Sequence, residues 1–194
     1  MEVPVYLFAG FLESGKTQFI SEVLDDPNFT QDERTVLLVC EEGVTEYDEE
    51  MLRRTNTVKI VIESAEGLTK PALAAIAAQY KPDRAMIEWN GMWPIASLQD
   101  ILPDEWPLYQ VVTTICGATW ELYSANMGAQ MLDHIANADL VVFNRSSEAD
   151  KEKIRAKNIR AMNPRATIFF EDEDGNPEDY MDGMELPFDL DAPV

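Results

Sequence analysis

The chain alternates between short apolar runs and longer stretches with helical periodicity. Several of the short runs, such as VYLF, VLLV and VVF, are apolar at consecutive positions, which is typical of parallel strands that helices cover on both faces. Together the runs predict strands over Val3–Phe8, Thr35–Cys40, Val58–Ile62, Arg84–Trp89, Leu108–Ile115, Leu140–Asn144 and Thr167–Phe170.

Helical patterns fill the intervals between these strands. They predict helices over Lys16–Leu24, Glu46–Arg54, Lys70–Gln79, Trp93–Ile101, Trp120–Asn137 and Glu148–Met162. Such alternation predicts an α/β fold with a doubly wound, mostly parallel sheet flanked by helices. In this architecture ligands bind at the carboxyl ends of the strands, so the strand exits are where we expect functional residues.

Charge adds a boundary near the C-terminal end. The 194 residues carry 36 acidic and 15 basic side chains, a formal net charge of −21. Residues 171–194 hold ten of the acidic side chains and no basic one. We therefore expect one folded domain over residues 1–170 and an acidic tail or truncated linker over residues 171–194. A polyanionic surface repels nucleic acids and anionic lipids, so we expect neither as a partner.

The remaining composition indicates a cytoplasmic chain. No apolar run is long enough to cross a membrane, and the N-terminus has no signal-peptide pattern. Cys40 and Cys116 lie far apart in apolar contexts, which suits a reducing compartment. The single histidine, His134, falls in a predicted helix, where we expect a structural or surface role because one histidine makes no metal site.

A phosphate-binding motif follows the first predicted strand. Gly10-x-x-x-x-Gly15-Lys16-Thr17 is the G-x-x-x-x-G-K-[ST] pattern of a P-loop, and a helix is predicted directly after it. The glycines let backbone N–H groups turn toward phosphate, Lys16 neutralises the β- and γ-phosphates, and the Thr17 hydroxyl is expected to bind Mg²⁺. The nucleotide-binding residues predicted on this segment are Gly10, Glu13, Ser14, Gly15, Lys16, Thr17 and Gln18. Glu13 is unusual beside a polyanion, so we expect its side chain to face solvent or a partner subunit.

Carboxylates at two strand ends predict the metal side of the site. The strand RAMIE ends in Glu88, with Gly91 three residues later. Glu88 is a candidate for binding Mg²⁺ or a catalytic water, and the Gly91 N–H for contacting the γ-phosphate. At the second strand exit, Glu41, Glu42 and the downstream Asp48 form a candidate switch segment, with Glu41 as a further metal ligand. Carboxylates at strand exits are also common without any function.

The end of the sixth predicted strand indicates a base-binding site. An asparagine and a long cation, Asn144 and Arg145, follow the run LVVF. The amide of Asn144 can bond the edge of a purine while the aliphatic stem of Arg145 stacks on its face. Ser147, two residues later, completes the predicted set of cofactor-binding residues.

In this order, the motifs resemble those of the CobW/HypB/UreG family of P-loop GTPases, specifically its CobW branch. GFLESGKT is similar to the G-F-L-x-x-G-K-T loop of that branch, and VCEEG with a downstream Asp48 resembles its V-N-E-x-G segment. IEWNGMWP resembles I-E-x-x-G-x-x-x-P, and VVFNRSS with AMNPRATI resembles V-x-L-N-K-x-D with L-N-P-x-A-x-I. The resemblance covers about residues 3–170 and implies a P-loop nucleotide-binding domain with GTP and Mg²⁺ as cofactors, slow GTP hydrolysis, and work as a metal chaperone or in cofactor assembly. It also implies a second, smaller C-terminal domain in many members, which would follow the acidic end.

Three positions depart from the family pattern. The C-x-C-C metal motif should fall near residues 63–73, where ESAEGLTKPAL has no cysteine or histidine, so soft-metal capture lacks ligands there. Arg145 and Ser147 replace the lysine and the guanine-reading aspartate of N-K-x-D, so we expect a weaker preference for guanine. Glu13 stands where the family prefers glycine.

Two functions follow from the sequence. The first is a Mg²⁺-dependent GTPase in which Lys16, Glu88 and Gly91 are the catalytic residues and Thr17, Glu41 and Glu88 bind the metal. The second is a nucleotide-binding switch or scaffold with negligible turnover and relaxed base preference, because the sequence contains no obvious general base or arginine finger. Besides the nucleotide, the expected partners are a client metalloprotein or a second copy of the chain.

Overall fold

The computed structural model describes residues 2–30, 33–41, 43–172, 175 and 177–180. These residues form an eight-stranded sheet with helices packed against it. The strands are β1 (Val5–Ala9), β2 (Thr35–Val39), β3 (Thr57–Val61), β4 (Arg84–Glu88), β5 (Leu108–Cys116), β6 (Leu140–Asn144), β7 (Thr167–Glu171) and β8 (Pro177–Tyr180). Their order in the sheet is β3-β2-β4-β1-β5-β6-β7-β8. The first seven strands pair in parallel and β8 pairs antiparallel with β7. This confirms the predicted α/β fold with a mostly parallel sheet.

Helices cover both faces of the sheet. They are α1 (Lys16–Asp25), α2 (Pro27–Thr30), α3 (Glu49–Arg54), α4 (Lys70–Tyr80), α5 (Ala96–Ile101), α6 (Trp120–Asn126), α7 (Gly128–Asn137), α8 (Glu148–Arg155) and α9 (Ile159–Met162). Consecutive residues of β1 show the two-sided burial: Leu7 packs in one core cluster and Phe8 in another, each at most 2% exposed. Within the part of the chain that the structure describes, no helix is both long and apolar enough to cross a bilayer.

Two predicted helices are each divided in the structure. The predicted helix over residues 120–137 is interrupted at Met127, which leaves the helical region just before Gly128, a poor helix former. The predicted helix over residues 148–162 ends at Arg155, and Asn158 adopts a left-handed conformation with φ of 31° before α9 begins. Apolar periodicity continues across both breaks, so the pattern alone did not reveal them.

The segment predicted as an acidic tail begins with structure. β7 extends to Glu171, and β8 adds an antiparallel edge strand whose Glu178 lies 2.6 Å from the buried ammonium of Lys151 on α8. No strand was predicted here, because the residues PEDY lack the alternation of a half-buried strand. Residues 181–194, which make up most of the predicted tail, lie outside the described residues, and the domain division stays a prediction.

At β1 the direction in which the chain adds strands to the sheet reverses. The chain moves from β1 toward the β3 edge and then crosses from β4 to β5 on the other side of β1. Crevices at the carboxyl ends of strands open at such a reversal, which is the usual ligand position in doubly wound sheets. The loop between β1 and α1, with the predicted phosphate-binding motif, lies at this point.

Candidate functional site

The loop between β1 and α1 can be formed only with glycine at two positions. Gly10 has φ of 138°, and a Cβ atom there would lie 2.4 Å from the carbonyl oxygen of Thr114. Gly15 has φ of 101°, and its Cβ would lie 2.4 Å from Nδ2 of Asn144. Both contacts are far below van der Waals distance, and both φ values are ones that side chains disfavour. The two glycines of the motif thus let the loop fit tightly between β5 and β6.

Glu13 takes a third left-handed position in this loop, with φ of 59°. For a residue with a side chain this conformation costs about 1–2 kcal/mol, which gives a physical reason why glycine suits the position. The Glu13 side chain is exposed at the rim of the cavity, and its backbone carbonyl accepts a hydrogen bond from the guanidinium of Arg145. A contact between Glu13 and a partner subunit stays a prediction.

Lys16 is held over the loop by three oxygen atoms. Its ammonium donates to the carbonyl oxygens of Gly10 and Phe11, both at 2.9 Å, and to Oε2 of Glu41 at 2.7 Å. Lys16 is only 3% exposed, whereas Glu41, just after β2, is partly exposed. The ammonium and the carboxylate face a cavity of about 300 Å³, which the start of α1 also lines.

Glu88, at the end of β4, also lines this cavity and is held by two hydroxyl groups. Thr17 donates to its Oε1 at 2.8 Å and Tyr47 to its Oε2 at 2.6 Å. Burial raises the pKa of Glu88, while the hydrogen bonds from Tyr47 and Thr17 act against that rise. The pKa of Tyr47 is itself raised, chiefly by burial, so Tyr47 remains a neutral donor.

The oxygen atoms on these walls fit a hard divalent cation. The Thr17 hydroxyl and the carboxylates of Glu41 and Glu88 line the same cavity. Hydroxyl and carboxylate oxygens beside a phosphate site are the ligand set that Mg²⁺ prefers, because Mg²⁺ usually takes one or two protein oxygens together with phosphate and water. The residues present are therefore suited to Mg²⁺, and the geometry brings all three predicted metal ligands together.

Gly91 lies directly against the loop. A Cβ atom at this position would lie 2.5 Å from the Gly10 carbonyl oxygen and 2.8 Å from the Phe11 Cα, so only glycine allows this approach. His134 lies beside the same loop, because its imidazole packs against the Phe11 ring with centroids 5.1 Å apart, while its Nδ1 is buried without a hydrogen-bond partner among the described residues. Burial lowers the pKa of His134 to about 4, so this side chain is neutral near pH 7. The placement suits the structural role expected for His134.

The second acidic strand end separates into residues with different roles. Glu41 reaches the cavity, but Asp48 caps α3, accepting from the N–H groups of Glu50 and Met51 at 2.7 and 2.8 Å. The sequence suggested Asp48 as part of the metal shell, whereas here its carboxylate completes a helix N-terminus, the usual use of aspartate at that position. Glu42, the other member of the predicted switch segment, lies outside the described residues.

Soft-metal ligands are scarce around this site. Burial, with Glu88 and Glu41 nearby, raises the pKa of Cys40 to about 12, so its thiol stays protonated near pH 7. Residues 63–73, where the family pattern has cysteines, form a short turn and the start of α4. Among the described residues, no group of three or more His, Cys, Asp or Glu side chains is arranged to hold a metal.

The predicted base-binding residues divide between the loop and a helix cap. Asn144 donates from Nδ2 to the Ser14 carbonyl oxygen at 2.7 Å, and Arg145 donates to Oδ1 of Asn144 at 3.3 Å as well as to the loop. Ser147 instead caps α8: it accepts from the N–H of Asp150, whose carboxylate accepts the Ser147 hydroxyl proton at 2.6 Å. The structure therefore brings Asn144 and Arg145 to the loop and leaves Ser147 exposed on the helix cap.

Two side chains contact the predicted site residues without being among them. They are Tyr47, which bonds Glu88, and Thr114, whose hydroxyl lies 2.8 Å from that of Ser14. Thr114 carried a signal, since two polar threonines lie in the buried part of its strand. Tyr47 carried none, because a single residue in a loop has no spacing to interpret.

Comparison with known proteins identifies the family. The family model for the CobW/HypB/UreG nucleotide-binding domain matches residues 4–170. Among curated proteins, none matches the chain significantly.

Solved structures with the same fold include hydrogenase maturation factor HypB from Archaeoglobus fulgidus, at 16% identity and a TM-score of 0.61, over 91% of this chain and 84% of that one. The Zn(II)-bound YjiA GTPase from E. coli is 18% identical with a TM-score of 0.63, over 92% of this chain and 60% of YjiA. The signal recognition particle receptor FtsY from Elizabethkingia anophelis is 12% identical with a TM-score of 0.55, over 92% and 63%. At these identities the structural likeness concerns the fold, while the family model covers the whole nucleotide-binding region. The chain therefore belongs to the CobW/HypB/UreG family through its nucleotide-binding domain.

Proposed function

We propose that this chain is a Mg²⁺-dependent GTP-binding protein that hydrolyses GTP slowly. The observation that carries the proposal is the set of groups that line one cavity: Lys16, which bonds the loop carbonyls, and Thr17, which is hydrogen-bonded to Glu88. A buried cation beside a glycine-rich loop suits a polyphosphate, and neighbouring hydroxyl and carboxylate oxygens suit the ion that accompanies it.

Each residue has a distinct task in this proposal. The backbone of residues 10–15 and the N-terminus of α1 hold the phosphates, together with Lys16. Thr17, Glu41 and Glu88 would hold Mg²⁺, which would supply positive charge beside the phosphates. Gly91, packed against the loop, is the candidate whose N–H would contact the γ-phosphate, although it does not itself line the cavity, and Asn144 with Arg145 would hold the base.

Slow turnover follows from the cations that line the cavity. Among its described lining residues the cations are Lys16 and Arg145, and Arg145 is bonded to the loop carbonyl on the base side. Cations that stabilise the transferring phosphoryl group accelerate related enzymes by about 10³–10⁵-fold, and none besides Lys16 is placed for that role here. The same observation favours the second candidate, a switch or scaffold with negligible turnover.

The wider role is also a proposal. Family membership and the likeness to a hydrogenase maturation factor support work on a client metalloprotein or in cofactor assembly, in the cytoplasm. The protonated Cys40 thiol and the absence of cysteine from residues 63–73 favour a role in which nucleotide state, rather than thiolate capture, regulates that client.

Phosphate release from GTP and ATP, with and without Mg²⁺, tests the proposal. We expect slow release from GTP that requires Mg²⁺, is lost in Lys16→Ala and falls at least tenfold in Glu88→Gln. Tight GTP binding without measurable release supports the switch instead. If calorimetric titration detects no binding of either triphosphate to the native chain, both candidates are wrong.

A further inference from the structure

A second cavity, of about 140 Å³, lies beside the phosphate cavity between the start of α1 and the ends of β6 and β7. The two cavities share Gly15, Gln18 and Arg145, so a ligand held by the loop can extend from one into the other. The second cavity also reaches Asn144, the expected base-binding residue. By position and size it suits the purine of a bound nucleotide.

Glu171, the last residue of β7, lines this cavity. Phe143 on β6 pairs with Phe170 on β7, so the parallel register places Asn144 and Glu171 side by side. Along β7, Phe169 packs in the core beneath α1, and alternation turns Glu171 to that same face. Glu171 and Asn144 therefore approach the second cavity from adjacent strands.

The side chain of Glu171 has no hydrogen-bond donor among the described residues. Glu171 is 8% exposed, and none of the described hydrogen bonds or ion pairs reaches its carboxylate. The carboxylate oxygens are not among the fully buried unpaired atoms of the described residues, so they keep a little contact with the cavity. Burial raises the pKa of Glu171 to about 7, and the negative charges of Glu22 and Asp172 add to that rise. A largely buried carboxylate without donors has a large unmet capacity to accept hydrogen bonds.

We propose that Glu171 reads the guanine base, supplying the acceptor that position 147 does not. Guanine presents two adjacent donors, its N1–H and its 2-amino group, and a carboxylate accepts both with charge assistance. Ser147 is exposed at the α8 cap, and the neighbouring Glu148 is paired with Lys151 at 2.8 Å, so neither side chain lines the second cavity. The weaker guanine preference expected from Ser147 alone is thereby offset from a different strand.

Other occupants fit the second cavity less well. A metal ion would need several ligands, and no group of three acids, histidines or cysteines among the described residues is arranged for one. Adenine offers a single amino donor beside an acceptor nitrogen, so it satisfies only part of the Glu171 carboxylate.

Three nucleotides separate these possibilities in a binding assay on the full chain. GTP and ITP share phosphates, sugar and N1–H, but ITP lacks the 2-amino group, and ATP lacks both donors. We expect the native chain to bind GTP ten- to a hundredfold more tightly than ITP, with ATP weaker still. Glu171→Gln should bring the GTP and ITP dissociation constants within about threefold of each other, mainly by weakening GTP.

Glu22→Gln is the matched control. It removes the same charge from the same cavity, but Glu22 is exposed and already accepts from Gln18 at 3.0 Å. We expect it to shift GTP and ITP affinity together and to leave their ratio unchanged. Circular dichroism and thermal unfolding of both variants establish that they remain folded.

The outcomes distinguish this inference from the proposed function on which it rests. If the native chain binds GTP, ITP and ATP equally, or if Glu171→Gln leaves the GTP-to-ITP ratio intact, the reading of Glu171 is overturned while triphosphate binding stands. A native preference for ATP overturns it as well. If no triphosphate binds, the proposed function and this inference both fail.

Discussion

The ion pair between Lys16 and Glu41 makes a prediction about how Mg²⁺ controls nucleotide binding. Glu41 lies 2.7 Å from the ammonium that is proposed to hold the β- and γ-phosphates. Any triphosphate that approaches Lys16 must therefore compete with this carboxylate or share the ammonium with it. With Mg²⁺ present, Glu41 has a second possible partner, the metal. We expect Glu41→Gln to have opposite effects on GTP affinity in the two conditions.

The size of the effect without Mg²⁺ follows from the geometry. At an effective dielectric of about 20, opposite charges about 4 Å apart attract by ~4 kcal/mol. Glutamine keeps an acceptor oxygen and hence a hydrogen bond worth about 1 kcal/mol, and the partial exposure of Glu41 weakens the charge interaction further. About 1.4 kcal/mol of released competition is a conservative expectation, so GTP should bind about tenfold more tightly to Glu41→Gln in the presence of a chelator.

With Mg²⁺ the same variant should bind GTP more weakly than the native chain, because one proposed metal ligand has lost its charge. The measurement is calorimetric or fluorescence titration with GTP, in millimolar Mg²⁺ and in chelator. Glu46→Gln is the control, since Glu46 lies in the same segment but is exposed and does not line the cavity. Equal weakening of GTP binding in both conditions would refute the competition between Glu41 and phosphate for Lys16.

Three further substitutions test other contacts of the site. Lys16→Ala should abolish most triphosphate affinity, which calorimetric titration measures, and unchanged affinity would contradict the phosphate-binding role of Lys16. The same variant should lower the free energy of unfolding by about 2 kcal/mol in urea denaturation, because Glu41 and two loop carbonyls lose their hydrogen-bond donor. Tyr47→Phe removes a hydrogen bond that lowers the pKa of Glu88, so Mg²⁺-dependent GTP binding should require a higher pH. If GTP affinity in Mg²⁺ depends on pH in the same way for the variant and the native chain, Glu88 is not a metal ligand. Glu171→Gln should stabilise the chain by on the order of 2 kcal/mol at about pH 8 and hardly at all near pH 4.5. The reason is that the pKa of Glu171 is raised to about 7 in the folded state, so the native chain loses stability as pH rises from 4.5 through 7. Urea denaturation of both chains at the two pH values measures the difference, and a difference that does not change with pH would contradict the raised pKa.

Much of the fold could be predicted because its information is local. Each buried strand of the parallel sheet is a continuous apolar run, and each run stands out in the sequence by itself. The breaks at Met127 and Asn158 could not be predicted in the same way. At both positions the backbone leaves the right-handed helical region, while the apolar pattern on either side continues unchanged. β8 depends on pairing with β7, a partner that its own four residues do not specify.

The candidate site shows the same division between local and long-range information. The loop from Gly10 to Thr17 is a consecutive motif, and its two glycines have φ values that other residues disfavour, so it is visible in one sequence. Glu41 and Glu88 were accessible through a general rule, since the carboxyl ends of neighbouring parallel strands meet at one edge. Tyr47, which bonds the second oxygen of Glu88, satisfies no such rule and depends on the path of a loop.

The proposed base site follows from the register between strands rather than from any consecutive motif. The N-K-x-D pattern places its acceptor three residues after the asparagine, a position that Ser147 occupies in this chain. A neighbouring parallel strand can place a side chain equally close to the asparagine, because strands lie about 4.8 Å apart, and no sequence spacing records that proximity. Here β7 brings Glu171, separated from Asn144 by two helices, to the same cavity. A carboxylate missing from a motif can therefore be supplied by the next strand, and base selectivity in such chains has to be assessed from the walls of the cavity.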